Sequence, residues 1–437
     1  MEWWLAFLVI LGILFILFAL GIPVAFAFLI SNLIGVLLFW GGEAGLRQLF
    51  LSVFGSVASF TLLPIMLFLL MGSILFHSGM AENALDSLDK LMGRLPGRLG
   101  LLSVVAGVLL STLTGSCVAS TAILGSALVP EMEKRGYKKE MSLGPIMAAG
   151  GLAMMIPPSG LAVLVAALAQ TSVGAVLIGG IIPGLMMAAS YAVYIVIRCW
   201  LQPSLAPPYE MEPIPLPTKL MFSAKYVLPL GFIIFMVTGV ILFGIATPTE
   251  AAATGALGSF ILAACYGKLD WKAFKITTVE TLTTTVMILM IVTGSIAFGQ
   301  VLGFSGASQG LTNLLTSLPV PPIVVIIILQ VALIIIGTAA EEISIVMVVV
   351  PLFSPIIHAF GMNPVWFCVL LLLNIEMSII SPPYGSVLFV MQGVAPRGTT
   401  TGDIYRAIWP FFYLDCAVMA VMLAFPITVL WLPGVMR

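Results

Sequence analysis

Apolar residues run through nearly the whole chain, and the informative positions are the few places where polar residues or prolines interrupt them. The stretch from Trp3 to Trp40 is far longer than the apolar core of a signal peptide, has no cleavage-site pattern beside it, and predicts two spanning helices. "AMMIPPSGLAVL" (153–164) sets two prolines inside an apolar segment, and "SIISPPYGSVLF" (378–389) repeats the shape. The only long polar, proline-rich run, 202–225, lies near the middle and reads as a linker between halves 1–201 and 226–437. An offset near 225 lays Pro23 on Pro248, Gly136 on Gly361, Pro157-Pro158 on Pro382-Pro383 and Gly160 on Gly385; an offset of 222 matches "GSI" at 72–74 with 294–296 and Gly115 with Gly337. Anchors in common order at a nearly constant offset predict an internal repeat.

Segments 101–114 and 117–130 are apolar but only about 14 residues each, short of the roughly 20 that a crossing needs. The polar "STLTGSCVAST" between them suits the tip of a re-entrant hairpin, whose two flanks then share a side. Both flanks, "DSLDKLMGRLPGR" and "EMEKRGYKKE", are basic and predicted cytoplasmic. Segment 322–357, centred on "IGTAAEEIS", has flanks without Lys or Arg and is expected to enter from the opposite face. The alternative for each segment is a single kinked crossing. With hairpins, each half has three crossings, a hairpin, a broken crossing and a final crossing; five full passes invert the second half. That topology leaves only Arg47 and Arg437, of 17 Lys and Arg, outside the cytoplasm. The expected fold is an all-α polytopic membrane protein of two inverted-topology repeats, each with a re-entrant hairpin and a discontinuous helix. "ENALDSLDKLMGRL" (82–95) has leucines at helical spacing and reads as an interfacial amphipathic helix, with a solvated loop helix as the alternative.

Composition agrees: 61% of the 437 residues are hydrophobic and 8% charged, with a mean hydropathy of +1.20. Cys117, Cys199, Cys265, Cys368 and Cys416 stand singly, and with His77 and His358 they make no familiar zinc site or catalytic triad. Gly267-Lys268 lacks the upstream glycine of an ATP-binding phosphate loop. Neither an enzyme nor a nucleic-acid partner is expected.

Proline has no N–H, so Pro157 and Pro158 orphan the carbonyls of Ala153 and Met154, and Pro382 and Pro383 those of Ser378 and Ile379. In lipid each orphan costs several kcal/mol, so something polar must face it. A carbonyl-rich half-helix end suits a small cation, and the new N-terminus opposite suits a carboxylate. For Na+ the candidates are Ser111, Thr112, Gly115, Ser116, Met154 and Pro157 in the first half. In the second they are Gly337, Thr338, Glu341, Ser381 and Pro382. For the substrate they are Pro158, Ser159, Gly160, Pro383, Tyr384 and Gly385. Hydroxyl and carbonyl oxygens carry no titratable proton, which favours Na+ over H+ as coupling ion. The alternative is hydroxyls bonding back to their own helices beside kinked packing helices. Glu341 and Glu342 are open between ion binding, ion pairing and carrying a proton; Glu250, Glu376 and Asp415 are expected to brace structure, and His77 to pack.

"GPIMAAGGLAMMIPPSG", "SPPYG" and "LSTLTGSCVAST" resemble the large membrane subunit of tripartite ATP-independent periplasmic (TRAP) transporters, along essentially the whole chain. The resemblance implies a Na+-driven importer of organic acids such as C4-dicarboxylates or sialic acid, working with a small four-helix membrane subunit and a periplasmic substrate-binding protein. It also implies an inner-membrane location and an elevator mechanism, with a mobile core near 98–175 plus 320–395 and the remainder as scaffold. The chain starts directly with the first large-subunit helix, so the small subunit is expected as a separate chain. A stand-alone Na+/dicarboxylate or other anion symporter of the same plan is the alternative.

Overall fold

A computed structural model describes residues 2–92, 95–207, 215–338 and 341–436; the side chains of 111–114 and 216 lie outside the described residues, as do residues 208–214 of the expected linker. The first half runs α1 (Trp3–Ala19), α2 (Val24–Phe39), α3 (Glu43–Val57), α4 (Leu63–His77), α5 (Met80–Leu91), α6 (Arg98–Thr114), α7 (Cys117–Lys134) and α8 (Lys139–Gly151). A 3-10 turn, Leu152–Met154, ends α8 before the break, and α9 (Gly160–Leu168), α10 (Val173–Gly179) and α11 (Ile181–Leu201) follow. The second half runs α12 (Leu216–Phe222), a π-helical turn Ser223–Val227, α13 (Leu228–Leu242), α14 (Pro248–Cys265), α15 (Trp271–Phe304), α16 (Ala307–Thr316), α17 (Pro322–Gly337), α18 (Glu342–Ala359), α19 (Pro364–Ile379), α20 (Ser386–Val394), α21 (Thr401–Ala424) and α22 (Ile427–Val435). The end of the expected linker is therefore helical: from Leu216 the chain has already entered α12, because only the stretch before it is dense in proline.

Local chemistry sets these boundaries. Thr247 and Glu250 form a capping box at α14, Thr400 and Asp403 another at α21, and Asp270 and Asn363 cap α15 and α19. Gly136 and Gly361, after α7 and α18, both have left-handed backbones (φ +77° and +67°) that end the helix. Glu250 is exposed and spent on its cap, so it braces a helix start as expected, at the surface of the fold.

The hairpin reading of 101–130 prevails over a kinked crossing. The Leu99 N–H donates to the Tyr137 hydroxyl at 3.4 Å, although the two residues are 38 apart in the chain; a continuous helical crossing would separate them by roughly 50 Å. Along α8, Gly100 lies against Pro145 and Gly107 against Ala149, so α6 runs with α8; the Cys117 thiol reaches the Gly151 carbonyl at α8's far end, so α7 returns. The second half repeats this. Asn374 donates to the Gln330 carbonyl and side chain (2.8 and 2.6 Å), and Gly337 lies against Ser378, so α17 runs with α19. Ile345 lies near Gly337, and Phe353 meets Phe367 at 6.4 Å, so α18 returns.

Two packed bodies result. α1 to α4 and α13 to α15 pack among themselves, with α14 on α4, α15 on α2, α3 and α4, and Asn32 donating to the Gly294 carbonyl at 2.7 Å. The hairpins and broken helices form the other body, in which α8 lies against α6, α7 and α21, and α19 against α9, α10, α17, α18 and α21. The second body is wider than 98–175 plus 320–395: α11 packs on α6 and α21, and α22 on α10, so the last crossings of both halves belong with the broken helices.

Candidate functional site

Each hairpin tip meets the broken helix of its own half. At the first corner Gly115 adopts φ +62°, the left-handed backbone that lets the chain turn within two residues, and Ser116 caps α7 by accepting the Ala119 N–H at 3.3 Å. Ser111 and Thr112 have side chains outside the described residues. The Cys117 thiol at the Gly151 carbonyl (3.9 Å) presses this tip onto the end of α8, next to Met154 and the cis Pro157-Pro158 bond. Leu152 is the last carbonyl of this turn to be used, by Met155 and Ile156 N–H groups at 3.2 and 3.0 Å. Among the described residues no backbone N–H reaches the carbonyl of Ala153 or Met154, as the proline spacing requires.

The second corner differs in detail. Gly337 touches Ser378 so closely that an added Cβ would lie 2.7 Å from the serine Cβ, and the Thr338 hydroxyl bonds back to the Ile335 carbonyl at 3.0 Å. The Ser378 carbonyl is not orphaned: it accepts the Ser381 N–H at 3.1 Å, because the chain tightens into a turn before the cis Pro382-Pro383 bond. The Ser381 hydroxyl lies 3.5 Å from the Pro382 carbonyl. Oε2 of Glu341 caps α18, accepting from Ile343 N–H, Ser344 N–H and the Ser344 hydroxyl at 3.1 to 3.2 Å. Charge at a helix N-terminus is favourable, which gives Glu341 a structural task at the tip. Glu342 beside it has a buried oxygen, Oε2, with no hydrogen-bond partner.

The half-helix N-termini are also unequal. Ser159, almost wholly buried, turns its hydroxyl onto the Ala162 N–H at 3.3 Å, so part of the expected anion cradle at Gly160 is occupied by the protein's own cap. Gly385, which starts α20, offers no side-chain cap. Its neighbour Tyr384 is exposed, and the Tyr405 hydroxyl holds the Pro383 carbonyl at 2.8 Å. The two breaks are neighbours: Gly151 lies against Glu376, and α19 packs on the 3-10 turn and on α9. The second arm of each hairpin crosses to the other half, α7 onto α20 through Gly125 and Val394, and α18 onto α9.

A cavity of about 260 Å³ opens between the first tip and the other body, lined by Ser116 and Ala119 on one side and Ser73, Glu280, Thr281 and Thr284 on the other. Glu280 accepts from the Ser73 hydroxyl at 2.8 Å and lies 3.3 Å from His77 Nε2. His77 thus has a charged neighbour as well as its packing contact with Phe76. Sequence reasoning passed over Glu280. Its signal was available, since it is the only charged residue between Lys275 and the end of the 34-residue α15. Among the described residues no group of three His, Cys, Asp or Glu side chains converges as a metal site.

This geometry can be set beside known proteins. The family model for the tripartite ATP-independent periplasmic transporter, DctM component, matches residues 11–428. The chain belongs to that family. Among its relatives, the C4-dicarboxylate TRAP transporter large permease protein DctM of Pseudomonas aeruginosa is 29% identical over 93% of this chain and 92% of that protein. The 2,3-diketo-L-gulonate TRAP transporter large permease protein YiaN of Escherichia coli is 27% identical over 97% of each. The isethionate TRAP transporter permease protein DctMQ of Oleidesulfovibrio alaskensis is 27% identical over 98% of this chain and 66% of that protein. The solved YdaH transporter of Alcanivorax borkumensis, described as having an unusual topology, superposes with a TM-score of 0.68 over 90% of each chain at 16% identity, a likeness of fold. The chain is therefore a TRAP large permease subunit, a multi-pass membrane protein; six of its described helices are long and apolar enough to span a bilayer.

Proposed function

We propose that this TRAP subunit is the permease of a Na+-driven organic-acid importer of the bacterial inner membrane. It works with a separate small four-helix membrane subunit and a periplasmic substrate-binding protein. The observation that carries the reading is the doubled corner: in each half a hairpin tip of small and hydroxyl residues is pressed against a proline-broken helix within the membrane-embedded core. Oxygen-rich corners, uncharged at the first tip and carrying the Glu341 carboxylate at the second, suit an alkali cation, and neighbouring half-helix N-termini suit a carboxylate. Na+ is bound by Ser111, Thr112, Gly115, Ser116, Met154 and Pro157 at one corner and by Gly337, Thr338, Glu341, Ser381 and Pro382 at the other. The substrate carboxylate lies between Pro158, Ser159 and Gly160 and Pro383, Tyr384 and Gly385. Relatives named for C4-dicarboxylate, diketogulonate and isethionate transport support an anionic substrate class.

The division into two packed bodies supports an elevator, with the hairpin body moving against α1 to α4 and α13 to α15. A cleft of about 790 Å³ between α5 and the base of the first hairpin, lined by Asp86, Asp89, Glu131 and Arg135, opens on the side of the basic flanks. By the positive-inside rule this is the cytoplasmic side.

The test is uptake into proteoliposomes holding both membrane subunits, with the loaded binding protein outside. The expected result is uptake that requires inward Na+ and all three components. Undiminished flux with choline in place of Na+ would remove the coupling; uptake by this chain alone would replace the tripartite reading with the stand-alone symporter.

A further inference from the structure

Deep in the hairpin body, two helices that pack on each other, α19 and α21, each bury a carboxyl that makes no ion pair among the described residues. Glu376 on α19 and Asp415 on α21 are both fully inaccessible to solvent, as is Tyr191 on α11. The Tyr191 hydroxyl donates to Asp415 Oδ1 at 2.5 Å. The other Asp415 oxygen and both oxygens of Glu376 have no hydrogen-bond partner. The helices that carry these groups pack on one another, α19 on α21 and α11 on α21. The end of α8 closes the remaining side, where a Cβ on Gly151 would fall 2.7 Å from the Glu376 carboxyl carbon.

Two ionised carboxylates in such a place would each cost several kcal/mol unless a positive charge stood beside them. The packed elements supply none. α9, α10, α17, α20 and α22 carry no titratable residue, and α18 carries Glu342 and His358. His358 lies near the end of α18 that is remote from the Ser378 corner, and is exposed. From the first hairpin tip the titratable group is the Cys117 thiol. On α8, Lys139 is at the opposite end from Gly151 and is paired with Asp403 at 3.0 Å; Glu140 adds no positive charge. On α11, Arg198 lies two turns from Tyr191, beside Tyr194, with Cys199 next to it. On α21, Asp403, Tyr405 and Arg406 are more than two turns from Asp415, with Arg406 exposed; Tyr413 is exposed and Cys416 uncharged as a thiol.

We propose that Glu376 and Asp415 form a resident proton site, in which H+ takes the place of a counter-cation and stays bound while the hairpin body moves. The Tyr191 hydroxyl already donates to Asp415, which favours the negative charge there and leaves Glu376 as the acid. Residence follows from placement: α8, α11, α19 and α21 all belong to one packed body, so movement against the other body leaves the pair enclosed. The pair lies behind the first corner, against Gly151, and is none of the residues proposed to bind Na+.

Infrared spectroscopy of the purified chain in lipid nanodiscs near neutral pH tests this. The expected result is a protonated-carboxyl band that is lost in Glu376→Gln and unchanged by saturating Na+. Labelling wild-type protein with 13C-glutamate should shift the same band, and needs no variant. In reconstituted transport Glu376→Gln, which mimics the protonated acid in shape, should retain Na+-driven uptake within about twofold. A band untouched by both the label and Glu376→Gln, a band that disappears when Na+ is added, or abolished uptake by a Glu376→Gln protein with wild-type thermal stability would each overturn the proposal.

Discussion

In the first hairpin α6 packs directly on α4, but α7 meets the scaffold body across a wet boundary. A polar cavity with Glu280, Thr281 and Thr284 faces Ser116, and the larger acidic cleft lies along its base. The second hairpin, α17 and α18, meets it dry. The Ser295 hydroxyl on α15 donates to the Met347 carbonyl at 2.5 Å, and α1 and α16 close over α17 and α18 around an apolar cleft of about 340 Å³ lined by Phe7, Leu11, Phe15, Leu333 and Phe353. The same supersecondary unit thus meets the scaffold in two different ways, across a polar cavity in one half and through apolar packing in the other.

The sharpest way to break this contrast is a labelling scan in a cysteine-less background. Leu95→Cys and Lys134→Cys flank the first hairpin; Val320→Cys and His358→Cys flank the second, and all four positions are exposed. An impermeant thiol reagent should modify the first pair from the cytoplasm alone and the second pair from the periplasm alone. Two members of one pair reacting from opposite faces would end the hairpin topology. Next in size is Gly337→Val, which forces new atoms into Ser378 and Ile345. Overpacking of this kind costs about 1–3 kcal/mol, and thermal unfolding in detergent should shift downward accordingly. Gly115→Ala meets no neighbour within 4 Å and is strained only by its left-handed backbone, at about 1–2 kcal/mol. Equal losses at the two positions would show that the tips are packed alike.

Smaller again are changes at the ion corners. Ser116→Ala and Thr338→Ala should each weaken apparent Na+ affinity, read from the Na+ dependence of uptake, by roughly 5- to 30-fold for a loss of about 1–2 kcal/mol. Protein abundance should hold. Parallel loss of abundance and affinity would favour hydroxyls that merely bond back to their helices, as Thr338 does to Ile335 here.

These contrasts were only half legible beforehand. Proline has no N–H whatever its surroundings, so the breaks at 153–160 and 378–385 could be read from the letters alone; the arms expected at 101–114 and 117–130 are longer, 17 and 18 residues, because each helix runs on into its polar flank. Gly115 pointed to the tip in the same local way as the prolines. The capping by Glu341 and the Ser381 N–H on the Ser378 carbonyl were not legible, because each depends on how tightly a turn winds. Glu280 was missed because its partners, Ser73 and His77, are about two hundred residues away. The membership of α11 and α21 in the hairpin body was hidden for a similar reason, since an apolar helix looks the same whichever body it packs on.

The smallest predicted effect probes the dry boundary itself. Ser295→Ala removes one buried hydrogen bond between the scaffold and α18 without altering either ion corner. A net loss of about 0.5–1.5 kcal/mol shifts an opening equilibrium by roughly 2- to 12-fold. Hydrogen exchange across 342–359 should rise by that factor while exchange across 117–134 stays as in the wild type, because the start of α7 already faces the scaffold across a cavity. If both hairpins respond together, the two boundaries are mechanically coupled and the dry boundary is not a local property of the second. If neither responds, apolar contacts between α1, α16 and the second hairpin hold the boundary, and the hydrogen bond serves only to satisfy a serine that would otherwise be buried without a partner.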